Sequence, residues 1–177
     1  RYGEYCIQDG IYVQTGQELD YAQSIAYLGE SIRLLRTVDD PDALLFALHF
    51  QGELELLHEN YNAAEAIFTE SLALARQRGA QRDSANALVL LSKVKSQQGH
   101  MPAALSYAQE GLQVARQIGD KNRVMAAGWQ LGHVQRALGN SAAALTCYDE
   151  TLALCLSLGN QSFALECVLG CGAIAAQ

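Results

Sequence analysis

The chain has 177 residues, half of them hydrophobic, which suffices for one domain of ordinary size with a continuous core. Alanine and leucine supply 27 and 26 residues against 2 prolines and 7% aromatics, a balance that favours helix and argues against a sandwich or barrel. The formal charge of −7 comes with no run of basic residues, which argues against direct nucleic-acid binding, and no apolar stretch reaches the roughly 18 residues of a membrane span.

In chain order, a helix is expected over 2–18 and another over 21–37, opening after Asp20 and closing at Asp39. Asp40-Pro41 opens a helix over 41–58, because an aspartate cap followed by proline at the first helical position is a strong start. Asn60 opens 61–78, which closes at Gly79; 83–98 and 101–118 close at Gly99 and Gly119. Helices over 121–138 and 141–158 open after Asp120 and Asn140 and close at Gly139 and Gly159, and Asn160 opens the last, 161–176. Glycine stops a helix because the residue after the last turn takes a left-handed conformation that glycine adopts cheaply. Short connectors make each helix antiparallel to the next.

These elements repeat. Leu72 to Gly79, Leu112 to Gly119 and Leu152 to Gly159 align without insertion at a spacing of 40 residues, and Ile32 to Asp39 keeps the same register. Small residues recur where helices must approach closely: Gly52, Ser92, Gly132 and Gly172 in the first helix of a pair, and Ala64, Ala104 and Ala144 in the second. The expected fold is all-α, one repeat domain over 1–177 with units at about 1–40, 41–80, 81–120, 121–160 and a partial 161–177.

The pattern resembles the tetratricopeptide repeat. The copies that carry the resemblance are Leu131-Gly132 with Leu138-Gly139-Asn140, Ala144 and Tyr148, and Gly52 with Asn60-Tyr61, Ala64 and Phe68. The family's usual unit is 34 residues. The longer form here, with Glu70-Ser71-Leu72-Ala73-Leu74-Ala75-Arg76 before Gly79, is similar to arrays in large bacterial signal-transduction proteins of the MalT-like and LuxR-type regulator kind. The departures are Glu59 in place of a glycine stop, His100-Met101-Pro102 in the third unit, and a poorly matched stretch from Tyr2 to Gln17.

The resemblance implies a right-handed superhelical solenoid of about nine helices, with first helices lining a concave groove. It places three rows across that groove: His49, Val89 and Trp129; Glu53, Lys93 and His133; Leu56, Ser96 and Arg136. With Gln97, the residues expected to bind a ligand are therefore His49, Glu53, Lys93, Gln97, Trp129, His133 and Arg136. An aromatic beside a cation and a titratable donor suits an extended or helical peptide. The competing structural role packs Trp129 on the next helix, pairs Glu53 with Lys93 and leaves Arg136 solvated. The −7 charge is expected on the second helices, at Glu70, Glu110, Asp149 and Glu150, leaving a neutral to mildly basic groove that prefers an acidic or carboxylate-ended peptide.

Catalysis, metal and cofactor find no support in the pattern. His49, His58, His100 and His133 are scattered, and no Ser or Cys has His and Asp in local register. Gly170-Cys171-Gly172 lies in a helical pattern and reads as packing. Glu30, Glu70, Glu110 and Glu150 recur each period, and their spacing suits pairing with Arg36, Arg76 and Arg116 better than a shared cation. Five cysteines without a Cys-x-x-Cys pair fit a reducing cytoplasm, with Cys167 and Cys171 as small buried side chains.

The expected function is a non-catalytic scaffold that binds a protein or peptide, the sensor or adaptor segment of a bacterial signal-transduction or transcriptional regulator. The alternative is a module sensing a small effector, with no direct nucleic acid or membrane partner in either case. The chain begins at Arg1 and ends in an apolar run, so it is expected to be part of a longer protein. In its last helix Phe163, Leu165, Val168, Leu169 and Ile174 cannot all be covered by the preceding helix, so self-association through that helix is expected unless the chain continues.

Overall fold

The computed structural model describes residues 6–8, 11–14, 17–18 and 21–175. Strands β1 (Cys6–Gln8), β2 (Ile11–Gln14) and β3 (Gln17–Glu18) form an antiparallel sheet in that order, with Ile7 opposite Tyr12 and Val13 opposite Glu18. The helix expected over 2–18 is thus corrected to strands. Ile11-Tyr12-Val13 is a β-branched and aromatic run, and the sequence separates the strands by Asp9-Gly10 and Thr15-Gly16, pairs of the kind that short hairpins favour.

Eight helices follow: α1 (Tyr21–Val38), α2 (Pro41–Leu57), α3 (Tyr61–Gln77), α4 (Gln81–Gln97), α5 (Met101–Ile118), α6 (Lys121–Ala137), α7 (Ser141–Leu158) and α8 (Gln161–Ala175). Among the described residues the helix count is eight rather than nine. The chain divides into two compact units, residues 1–67 and 68–177.

The helix ends explain the period. Gly79, Gly119 and Gly159 take φ of +68°, +68° and +70°, and Gly99 and Gly139 take +78°. Asp39 and Glu59 occupy the same left-handed position at φ 50° and 61°, where a side chain costs roughly 1–2 kcal/mol. The residue after the stop then donates its N–H five residues back. Ala80 to Ala75, His100 to Lys95, Asn140 to Gln135 and Asn160 to Cys155 span 2.8–2.9 Å, satisfying carbonyls the helix leaves open.

Starts are less uniform than the sequence implied. Asp40 accepts from the Ala43 N–H, Asp120 from the N–H groups of Asn122 and Arg123, and Asn160 from Phe163. Asn60 and Asn140 do not act this way: the Asn140 amide donates to Gln135 Oε1 at 2.8 Å, and the Asn60 amide donates to Glu55 Oε2 at 2.8 Å and the Tyr21 hydroxyl at 2.6 Å. Asp20 lies outside the described residues.

In the first unit Ile32 of α1 packs on Ala47 and Leu48 of α2. In the second, Ala108 and Leu112 of α5 meet Ala127 and Leu131 of α6, and Ala144 and Tyr148 of α7 meet Cys167 of α8. Close approach rests on glycine where an aromatic intervenes: a Cβ at Gly132 would stand 2.7 Å from the Tyr148 ring. Buried Ser92 donates to the Ala104 carbonyl at 2.8 Å and accepts from Gln130 at 3.1 Å, so its hydroxyl between α4, α5 and α6 is paired both as donor and as acceptor. The recurring glutamates pair forward by 34 residues, Arg76 with Glu110 and Arg116 with Glu150, while Glu30 pairs with Arg33 on its own helix. Cys155 and Cys167 are buried, Cys147 and Cys171 half-buried, and burial pushes the Cys167 thiol up to about 12, so it packs as a small apolar group. Among the described residues no helix is long and apolar enough to cross a membrane.

Candidate functional site

In the second unit α4 and α6 pack side by side, and the residues expected in the groove lie on one stripe of each. On α6, Trp129, His133 and Arg136 fall at i, i+4 and i+7 and are all half-buried; on α4, Lys93 and Gln97 are exposed. The Trp129 indole stacks on the His133 imidazole, with centroids 5.7 Å apart and planes 22° off parallel. Its other contacts run to α8, where Phe163 meets it edge-on at 6.4 Å and Cys171 and Ile174 share its cluster. The tryptophan therefore both packs and remains partly open.

Electrostatics ties the stripe together. Burial, and then the positive charges of Arg136 and Lys93, push His133 below its ordinary value, so the imidazole is neutral at neutral pH and can accept as well as donate. Arg136 is less free than the sequence implied. Its positive charge favours the ionised form of the buried Tyr148 hydroxyl, although burial pushes that phenol up more strongly. Its Nε is buried without a hydrogen-bond partner among the described residues.

His49 and Glu53 lie in the first unit, on α2. His49 Nε2 stands 3.2 Å from Glu53 Oε2, one turn along the helix. The same stripe carries Phe46, 67% exposed, and Phe50, half-buried, with rings 4.5 Å apart edge to face.

The sequence reading stopped one to two turns short on each helix, and the missed residues help line a cavity of about 320 Å³. Arg82, Asn86 and Val89 of α4 face Asn122 and Arg123 of α6, and Asp120 lines the same cavity. Asp120 Oδ2 lies 3.1 Å from Arg82 Nε and 3.7 Å from Arg123 Nε, and Arg123 Nη1 donates to Asn86 Oδ1 at 3.2 Å. Burial draws Arg123 below its ordinary value, while Asp120 and Asp83 oppose that shift. Following the groove stripe back by one to two turns from Val89 and Trp129 would have found these positions. No group of three His, Cys, Asp or Glu among the described residues stands close enough to hold a metal ion.

A second cluster joins α1 to α2 in the first unit. The Tyr21 hydroxyl donates to Glu55 Oε2 at 2.7 Å and its ring lies 4.0 Å from that of His58. The hydrogen bond to Glu55 and burial raise the Tyr21 phenol. Asn60 completes the clasp, as Asn140 does with Gln135 two periods later, so this cluster serves the helix junction.

Residues 47–117 match the family model of the tetratricopeptide repeat. No curated protein matches the sequence. Among solved structures, BtubC (BKLC) from P. vanneervenii is similar at a TM-score of 0.76 and 18% identity, over 89% of this chain and 66% of that one. A signal transduction ATPase with numerous domains from Pyrococcus horikoshii, carrying a tetratricopeptide repeat sensor, is similar at 0.73 and 18%, over 82% of this chain and 23% of that one. Nearly identical TPR-like repeats from Podosopora anserina follow at 0.64 and 12%, over 88% and 87%. At these identities the likeness is one of fold, a tetratricopeptide-type helical solenoid. The chain spans less than two thirds of the length of the first two structures.

Proposed function

We propose that residues 1–177 act as a single repeat array, a non-catalytic scaffold that binds a protein or peptide on the first-helix stripe of α4 and α6. The observation that carries this reading is the half-open Trp129–His133 stack with two cations acting on it. A neutral imidazole, a flat indole face and the exposed Lys93 ammonium suit a peptide segment that offers an apolar side chain beside a carboxylate. The Pyrococcus horikoshii protein is described as carrying such repeats as a sensor, and by analogy the finer reading is a sensor or adaptor segment of a cytoplasmic, bacterial signal-transduction or transcriptional regulator.

Trp129 is the sole tryptophan, so its fluorescence reports binding directly. In a titration with acidic and carboxylate-ended peptides, Lys93→Ala is expected to weaken binding about five- to tenfold, while Glu110→Ala on α5 leaves it unchanged. Peptide affinity unaffected by both Lys93→Ala and His133→Ala would overturn the assignment.

The cavity at Arg82, Asn86, Asn122 and Arg123 supports a second reading, a small polar effector held by guanidinium and amide groups. Under that reading Asn122→Ala abolishes small-molecule binding while peptide binding on the Trp129 stripe persists; loss of both together would refute two separate sites.

A further inference from the structure

The cavity of about 320 Å³ between α4 and α6 has its acceptors taken and donors to spare. Asp120 Oδ1 accepts from the backbone N–H groups of Asn122 and Arg123 at 3.1 and 3.2 Å, and Asp120 Oδ2 pairs with Arg82 Nε at 3.1 Å. Asn86 Oδ1 accepts from Arg123 Nη1 at 3.2 Å. The other guanidinium N–H groups of Arg82 and Arg123, and the side-chain amide of Asn122, make no hydrogen bond among the described residues. A guanidinium carries only donors, so what completes this cavity is an acceptor.

Charge narrows that acceptor to an anion, and to a singly charged one. The charged residues of the lining are Arg82, Arg123 and Asp120, two positive against one negative. Burial strips water from Arg123, whose Nε is buried without a hydrogen-bond partner and stands 3.7 Å from Asp120 Oδ2, so its charge is incompletely offset. A second negative charge on the ligand would meet Asp120, and also Asp83, which already acts on Arg123 from outside the lining. The first-turn N–H groups of α6 are not the anchor, because Asp120 caps them.

Shape sets the rest. Ala85, Val89 and Ala126 give the cavity an apolar wall beside the charged one, and its volume is at the small end of ligand sites. A planar carboxylate matches the edge of a guanidinium, two oxygens to two N–H groups, and a short hydrocarbon body covers the alanines and the valine. Inorganic phosphate is tetrahedral, carries more charge and has no apolar part to set against that wall.

On the footing that the cavity is an effector site, we propose that it binds a small monocarboxylate with an apolar body. Arg82, Arg123 and Asn122 hold the carboxylate, and Ala85, Val89 and Ala126 cover the body. Binding leaves Asp120 on its cap and adds the partner that the two guanidinium groups lack.

The test is calorimetric titration of the 177-residue chain at neutral pH and constant ionic strength with hexanoate and benzoate. Hexanamide serves as the neutral match and inorganic phosphate as the bare anion. Hexanoate or benzoate is expected to bind about tenfold or more tighter than hexanamide or phosphate. Asn122 and Arg82 are exposed, so Asn122→Ala and Arg82→Gln should keep the circular dichroism of the parent. Each is expected to weaken carboxylate binding by about tenfold or more, while Arg116→Gln, which removes an exposed cation of α5, leaves it unchanged. Hexanamide that binds as tightly as hexanoate, and is lost in Asn122→Ala, keeps an effector site and overturns its anionic class. Phosphate equal to hexanoate, or Arg116→Gln as damaging as Arg82→Gln, reduces the site to general attraction of anions and overturns the proposal. Carboxylate binding that survives both Asn122→Ala and Arg82→Gln lies elsewhere and overturns it too. Binding of none of these probes overturns the effector site itself, and the proposal with it.

Discussion

Tyr148 lies between two glycines, and replacing one of them measures how tightly the stack is made. The ring is 1% exposed. A Cβ built on Gly132 would lie 2.7 Å and 2.8 Å from its Cε1 and Cδ1, and one on Gly170 would lie 2.6 Å and 2.7 Å from its Cζ and Cε2. Carbon contacts are comfortable at about 3.5–4.0 Å, so Gly132→Ala falls roughly 1 Å short on one side, and Gly170 on α8 blocks the ring's retreat on the other. Overpacking of this kind costs about 1–3 kcal/mol, while alanine gains about 1 kcal/mol over glycine in a helix interior. A net loss of up to about 2 kcal/mol is expected, and about 1–3 kcal/mol relative to a glycine-to-alanine change without the clash, read as a lower urea midpoint at unchanged slope. Gly172→Ala provides the control: it meets nothing within 4 Å and should stabilise by up to about 1 kcal/mol. In a Tyr148→Ala background the penalty of Gly132→Ala should vanish or reverse, as a double-mutant cycle demands of touching residues. Gly132→Ala as stable as Gly172→Ala, or a penalty unchanged without the ring, would refute the reasoning.

Three further outcomes follow from the electrostatics and caps. The His133 pKa lies below its ordinary 6.5, so the folded chain binds fewer protons than the unfolded one between those values; the stability tied to the neutral imidazole is complete above 6.5 and lost as pH falls toward the folded pKa. An imidazole titration by NMR should show that depression and its partial relief in Lys93→Ala; a titration at or above 6.5 would contradict it. Asp120→Ala, which removes an acceptor from two backbone N–H groups and the carboxylate facing Arg82, should cost about 1–2 kcal/mol in urea, and Asn140→Ala, whose amide caps no helix, clearly less. Glu110→Ala should cost at most about 1 kcal/mol, because the Arg76 and Glu110 side chains are both about half exposed, and the difference should fade in concentrated salt.

Much of this was legible in the linear chain because helix ends are local chemistry. A residue that must be left-handed after a helix's last turn, in most units a glycine, marks a boundary without reference to anything distant, so seven of the eight helices start where the spacing put them and α4 starts two residues early. The same logic failed at the N-terminus, where the period was extended across residues 2–18 although Asp9-Gly10 and Ile11-Tyr12-Val13 carry a local strand signal that the repeat does not override.

The candidate site was legible only as a stripe. Position along a helix assigned Trp129, His133 and Arg136 to one face, but helical spacing says nothing about which of them a neighbouring helix claims. Packing decided that the Arg136 charge acts on the buried Tyr148 hydroxyl, that Trp129 shares its surface with α8, and that Arg82, Asn86, Asn122 and Arg123 meet around a cavity. Packing also turned the expected pairing of Glu110 and Glu150 into contacts 34 residues apart. The sequence by itself determined the period, the helix ends and the small residues at close approaches, since each depends on conformations and volumes within a few residues. Only the tertiary structure decided which polar groups face each other and which faces stay open, since those depend on where helices far apart in the chain come to lie.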